Sequence, residues 1–184
     1  MVDVISYSKN KGKAEAVRKG VLECSKKYNF NKVGFLDADL SISLNDAFLL
    51  FDLIEREVEI CFYSRIENGS NEIKSQLHRK MIGKLVRPII NKLFSIHHYD
   101  TQCGCKIFSR EIASRLFQEK FISKWLFDVE IFCRLFSIFD KKQYDMKVLE
   151  KPVVKWVDGG KSKVKFSYFF IIWVDFYKIY QKYN

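Results

Sequence analysis

The sequence predicts an α/β domain in which a largely parallel sheet is flanked by helices. Short β-branched and aromatic runs, Lys32–Leu36 and Val58–Tyr63 among them, are too short for helices and are bounded by turn residues. Stretches with apolar residues at helical spacing lie between them, so strand–helix–strand order repeats. The chain has 184 residues, is 48% hydrophobic and contains only 8 Gly and 2 Pro, enough to bury one core as a single domain over residues 1–184 and too apolar for a disordered chain.

Charge narrows the partners. With 32 basic and 22 acidic side chains the formal charge is +10, which favours anionic partners: nucleic acid, anionic lipid or phosphorylated substrates. The basic residues are spread through several elements rather than gathered with aromatics in a recognised motif, which argues against nucleic acid. Met1–Lys13 is polar and basic and lacks the apolar core of a secretory signal. Cys24, Cys61 and Cys133 lie in apolar surroundings, so reduced thiols in the cytosol are expected. Cys103 and Cys105 share a strand face, and a zinc site there would need two more ligands, with His97 and His98 the nearby candidates.

Taken in order, Asn10-Lys11-Gly12-Lys13 opens a helix whose apolar positions Ala14, Val17, Val21 and Cys24 follow a 3.6 period. Gly12 leaves backbone N–H groups at a helix start, a ready anion site beside Lys11 and Lys13, or simply a solvated helix end. Phe35-Leu36-Asp37-Ala38-Asp39-Leu40 follows, at the end of the strand Lys32–Leu36. In extended geometry residues i and i+2 share a face, so Asp37 and Asp39 can converge on one cation, and hard oxygen ligands suit Mg²⁺ or Mn²⁺. An Asp-rich turn capping the next helix is the alternative. Ser43 with Asp46 resembles a capping box for a helix over Leu44–Glu57, with Phe48, Leu49 and Leu53 expected inward. The strand Val58–Tyr63 ends in Ser64-Arg65, and Glu67–Ser75, holding Asn68-Gly69-Ser70-Asn71, reads as a loop.

Gln76–His98 is a basic amphipathic stretch with Leu77, Met81, Leu85, Ile89 and Leu93 on one side and Arg79, Lys80, Lys84, Arg87 and Lys92 on the other. It is a solvated surface helix or one that meets a membrane surface or a phosphate, and Pro88 predicts a kink or break. Asp100–Phe108 is a turn followed by a strand, and Ser109 caps the helix after it. Phe127-Asp128-Val129-Glu130 leads into an apolar helix ending near Phe139, with Asp128 and Glu130 either functional or only helix caps. Val148–Trp156 is strand-like, and Pro152 places it at a sheet edge. Asp158–Lys163 is a flexible basic loop, a phosphate gripper or a simple exposed turn. In the segment 164–184, Trp and Tyr with flanking Lys fit an interfacial helix, while docking on the sheet is the other reading; its charge-free run is far short of a membrane span.

In this order the pieces resemble a known family. N-x-G-K at Asn10–Lys13, F-L-D-A-D-L at Phe35–Leu40, S-R at Ser64-Arg65, D-T-Q-C-G-x-K-x-F at Asp100–Phe108, F-D-V-E at Phe127–Glu130 and S-K-V at Ser162–Val164 are similar to the dolichyl-phosphate β-glucosyltransferase branch of the inverting GT-A (family 2) glycosyltransferases. D-T-Q-C-G with F-D-V-E at that distance is the more specific part, and the likeness covers nearly the whole chain. It implies a GT-A, Rossmann-like fold and metal-dependent transfer of a hexose, glucose foremost, from a UDP-sugar to dolichyl or polyprenyl phosphate with inversion. The implied setting is peripheral, on the cytosolic face of a membrane, with no nucleic acid beyond the nucleotide sugar.

The resemblance also implies residue roles. Asp39 binds Mg²⁺ or Mn²⁺ directly and Asp37 contacts metal or ribose; Lys13, Arg65, Lys161 and Lys163 hold the donor diphosphate; Arg79 and Lys106 hold the acceptor phosphate; Asp100 is the orienting or catalytic carboxylate. Family members begin with a strand and helix bearing the base pocket and a V-D-D-G-S turn, whereas this chain starts just before N-x-G-K, and Ala14 stands where a second glycine is usual. The fold is therefore expected to be incomplete at its N-terminus, with an upstream polypeptide completing it. The alternatives are a non-catalytic membrane- or phosphate-binding module and a related transferase acting on a sugar hydroxyl.

Overall fold

The computed structural model describes residues 2–54, 57–74, 87–157 and 168–184. In chain order the elements are α1 (Lys13–Lys27), β1 (Lys32–Leu36), α2 (Leu44–Asp52), β2 (Ile60–Ser64), β3 (Glu72–Lys74), α3 (residues 87–94), β4 (Cys105–Ser109), α4 (Arg110–Leu116), α5 (Phe127–Ile138), α6 (Lys141–Lys147), β5 (Val148–Pro152), β6 (Lys155–Val157) and α7 (Tyr168–Tyr183). The expected α/β class holds.

The main sheet has the order β1-β4-β2-β5. β1, β2 and β5 run in one direction, as expected of a largely parallel sheet, but β4 runs antiparallel between β1 and β2. The sheet is therefore mixed. The reversal brings the turn that precedes β4 beside the end of β1, with Leu36 opposite Cys105. The Asp37 N–H then donates to the Gly104 carbonyl at 2.8 Å.

Strand alternation sorts side chains into two cores. Ile60, Phe62 and Phe108 face α1 and α4–α7, whereas Cys61, Tyr63, Cys105 and Ile107 face the α2 side with Leu50, Ile54 and Trp156. Each fully buried Leu, Ile or Phe favours folding by about 1.5–3 kcal/mol relative to exposure, so the aromatic α5 side is the main anchor. Lys106 breaks the apolar pattern on that side.

Caps follow the sequence closely. Ser43 accepts from the Asp46 N–H at 3.1 Å and Ser109 from the Ile112 N–H at 3.3 Å. β5 lies at the sheet edge and ends at Pro152, as that proline requires.

Several expectations are corrected. α2 ends at Asp52, and Phe48 (65%) and Leu49 (57%) are exposed while Ala47 and Leu50 are buried. Apolar residues surround that helix, so periodicity could not select the stripe that packs. The stretch read as a loop includes β3, which pairs in parallel with β6 in a separate two-stranded sheet. The single strand expected over Val148–Trp156 is thus two, separated after Pro152. Much of the basic stretch Gln76–His98 lies outside the described residues.

Candidate active site

β1 delivers Asp37 and Asp39 to a cleft lined also by Ser41, Arg65, Gln102, Gly104 and Trp156. Four chain segments meet there: β4, inserted between β1 and β2, brings three of them together, and β6 adds Trp156. Asp39 lies in a tight turn in which Leu40 takes a positive φ of 52°, and its Oδ1 accepts from the Ser41 N–H at 3.0 Å. The Ser41 hydroxyl is buried without a hydrogen-bond partner, a polar group left for something in the cleft to satisfy.

Asp37 is held more tightly. Its carboxylate packs on the α-carbon of Gly104, in the space that a larger residue's Cβ would fill. The Lys13 ammonium lies 2.8 Å from Asp37 Oδ1 and 3.6 Å from Asp128 Oδ2. Burial pulls the Lys13 pKa down, but Asp128 and Asp37 more than reverse this, so the group stays a cation. The α1 start is thus coupled to the end of β1 through Lys13. The anion site expected at that helix start is partly used within the protein, since the Ala14 N–H donates to the Lys124 carbonyl at 3.3 Å.

Arg65, at the end of β2, forms a fork on Asp100: its Nη2 donates to Oδ1 at 2.8 Å and its Nε to Oδ2. The backbone N–H groups of Arg65 and Gln102 donate to the same carboxylate at 3.2 Å each. Burial pushes the Asp100 carboxyl up, yet the Arg65 guanidinium holds it below its ordinary value, and Arg65 is raised in turn. Asp100 is therefore an anion dedicated to fixing Arg65, with Arg65 on the cleft wall and Trp156 against its guanidinium at 5.3 Å.

Sequence reasoning missed Gln102, Ser41 and Trp156, as well as Glu150, whose carboxylate accepts from the N–H groups of Tyr99 and Asp100 at 3.0 Å each. Gln102 was visible within D-T-Q-C-G; Trp156 and Glu150 are brought in only by the β5–β6 path.

Lys106 is a correction. It was expected to hold an acceptor phosphate, but it is fully buried, donating to Asp128 Oδ1 at 2.5 Å and to the Cys103 carbonyl at 2.7 Å. Its place on β4 turns it to the α5 side of the sheet, away from the cleft. Asp128 is accordingly an ion-pair partner for Lys106 and Lys13. Glu130 is buried against Arg134 at 2.9 Å. Arg79, Lys161 and Lys163 lie outside the described residues.

Cys103 and Cys105 are buried free thiols, both pushed up to about 12 chiefly by burial. His98 instead meets Glu150 at 3.3 Å and Tyr144 at 2.8 Å. Among the described residues no group of three or more His, Cys, Asp or Glu converges as a metal site. Asp37 and Asp39 nonetheless fit Mg²⁺ or Mn²⁺ by donor chemistry, since such ions take a few carboxylates and complete their shells with water and phosphate oxygens. The Asp37 carboxylate is paired with the Lys13 ammonium in this structure.

The sequence matches the family model described as glycosyl transferase family 2 over residues 1–117. It is 30% identical over 173 residues to a dolichyl-phosphate beta-glucosyltransferase of Trichomonas vaginalis, an alignment covering 88% of this chain and 48% of that protein. It is similar to the dolichyl-phosphate beta-glucosyltransferase of Saccharomyces cerevisiae (30% over 182 residues, 86% and 48% coverage). It is also similar to that of Homo sapiens (26% over 153 residues, 71% and 41%). The chain spans about half the length of the curated relatives it matches.

Proposed function

The chain belongs to glycosyl transferase family 2 and has the α/β architecture of the GT-A fold, and from that premise we propose that it transfers glucose from UDP-glucose to dolichyl or polyprenyl phosphate with inversion at the sugar carbon. The observation that carries this reading is the shared cleft of Asp37, Asp39 and Arg65. Asp39 and Asp37 would hold Mg²⁺ or Mn²⁺. When bound, the ion supplies positive charge against the nucleotide diphosphate that leaves.

The remaining work falls to the chain's own groups. Arg65, locked by Asp100, presents a fixed positive charge at the cleft wall, and a preorganised charge of this kind needs no reorganisation during reaction. Asp100 orients Arg65; with its oxygens taken by four N–H donors, it is not assigned a proton to carry. None is needed, because a phosphate acceptor is already an anion near neutral pH, unlike a sugar hydroxyl. Gln102 and Ser41, which also line the cleft, are assigned to the donor. Lys161 and Lys163 are assigned to the diphosphate and Arg79 to the acceptor phosphate on the family likeness.

A lipid-linked acceptor must be met at a bilayer surface, and we assign that contact, on the cytosolic face, to α7. Its buried side, Phe176 and Ile179, docks against the α5 core, while Ile171, Trp173, Val174, Tyr177 and Tyr180 remain exposed. No helix among the described residues is long and apolar enough to cross a membrane. Surface attachment through an aromatic face fits this helix.

The test is turnover of UDP-glucose with a short polyprenyl phosphate and Mn²⁺ or Mg²⁺. The expected product is the β-linked glucosyl phosphate lipid, formed only with the ion. Product formed equally well in a chelator, or transfer to a sugar hydroxyl instead, would contradict the reading.

A further inference from the structure

Lys13 reaches Asp37 from behind the cleft. Its ammonium spans both carboxylate oxygens, 2.8 Å from Oδ1 and 3.1 Å from Oδ2, and rests near the rings of Phe35 and Phe127 at 5.7 and 5.3 Å. Lys13 does not line the cleft itself. Beyond it stands Asp128 at 3.6 Å, which is paired with the buried Lys106. Charges therefore alternate from the cleft inward: Asp37, Lys13, Asp128, Lys106.

This arrangement sets two cations against each other. A divalent ion on Asp37 needs the oxygen lone pairs that the ammonium now draws, and it also feels the ammonium charge a few ångströms away. Asp37 and Asp39 with Lys13 carry one net negative charge, whereas without Lys13 they would carry two. Resting on the reading that Asp37 and Asp39 take the ion, we propose that Lys13 is a built-in competitor that holds Asp37 until nucleotide arrives. The ion then binds firmly only together with the diphosphate, whose negative charge offsets the positive charge added. Asp128 supplies the second anchor toward which the ammonium withdraws. Metal and nucleotide binding are thereby coupled, and the free chain does not load the ion alone.

The experiment is Mn²⁺ binding, followed by the electron paramagnetic resonance of the free ion, with and without UDP. It compares the unmodified chain with Lys13→Met and Lys13→Arg, each confirmed as folded by its melting transition. Without UDP, Lys13→Met is expected to bind Mn²⁺ about tenfold more tightly than the unmodified chain, and the enhancement by UDP is expected to shrink. Lys13→Arg keeps the charge and is expected to keep the weak UDP-free affinity. Weaker or unchanged Mn²⁺ binding by folded Lys13→Met overturns the inference, because Lys13 then only steadies Asp37. Tight UDP-free binding by Lys13→Arg overturns it as well. If the unmodified chain binds no Mn²⁺ even with UDP, the ion assignment itself fails and the inference with it.

Discussion

The carboxylate of Asp37 occupies the space that a side chain at Gly104 would take, so the end of β1 and the turn before β4 are in contact through the one residue type that leaves room. The Asp37 N–H also donates to the Gly104 carbonyl. Gly104→Ala forces a Cβ onto the Asp37 carboxylate, against its hold by Lys13 and the neighbouring backbone. It should lower UDP-dependent Mn²⁺ affinity by about tenfold or more, an effect of roughly 1.4 kcal/mol or more in binding free energy. Calorimetric titration of Mn²⁺ with UDP checks this; unchanged affinity would show that Asp37 is not the ligand.

Lys106 and Asp128 form a buried ion pair, and breaking such a pair costs more than replacing it. Asp128→Ala leaves an unpaired buried ammonium and should destabilise the chain by about 3–5 kcal/mol. Replacing both partners, Lys106→Met with Asp128→Leu, should recover most of that loss in urea unfolding. Equal destabilisation in the single and double variants would count against the pairing as the cause.

Glu150 predicts a pH dependence. Burial pushes its carboxyl up, but its bonds with His98 and with the N–H groups of Tyr99 and Asp100 hold it below its ordinary value of 4.5. The folded chain therefore gives up this proton more readily than the unfolded chain, and stability rises with pH. The contribution is complete above the unfolded value and fades as pH falls through the lowered folded value; Asp100, also lowered, adds in the same sense below 3.8. Glu150→Gln should flatten the acid limb of a plot of unfolding free energy against pH between about 5 and 3. An unaltered acid limb would contradict the assignment.

The exposed side of α7 predicts a lipid response. Trp173 is 46% exposed, and its fluorescence should shift to the blue on addition of vesicles rich in anionic lipid. The shift should weaken as salt screens the basic residues. Trp173→Ala with Tyr177→Ala should reduce vesicle sedimentation several-fold, while emission that ignores vesicles would remove α7 from the membrane contact.

Legibility in the sequence followed the range of each interaction. β1 has the bounds that its β-branched and aromatic run implied, and Ser43 and Ser109 cap as their local spacing indicated. Asp37 and Asp39 line one cleft, but both lie past the end of β1 and Asp39 sits in a turn where it accepts from the Ser41 N–H, so the strand rule that places i and i+2 on one face does not describe them. The capping box Asp140–Gln143 that starts α6 was equally local and was overlooked. Lys106 was misread because its partner Asp128 lies 22 residues away, and no spacing rule reports which face of β4 is buried. The reversal of β4 and the role of Glu150, which lies 50 residues from Asp100, are long-range as well. Arg65 with Asp100 came out as a fork between two residues that sequence reasoning had placed in separate roles.

The most direct test of the cation site on Asp37 and Asp39 is the Mn²⁺-dependent turnover of UDP-glucose by Asp39→Ala, with polyprenyl phosphate as acceptor. The account predicts a loss of about 10²-fold or more, the scale of removing one electrostatic contact to developing charge, with the melting transition retained. Full turnover in that folded variant would contradict it.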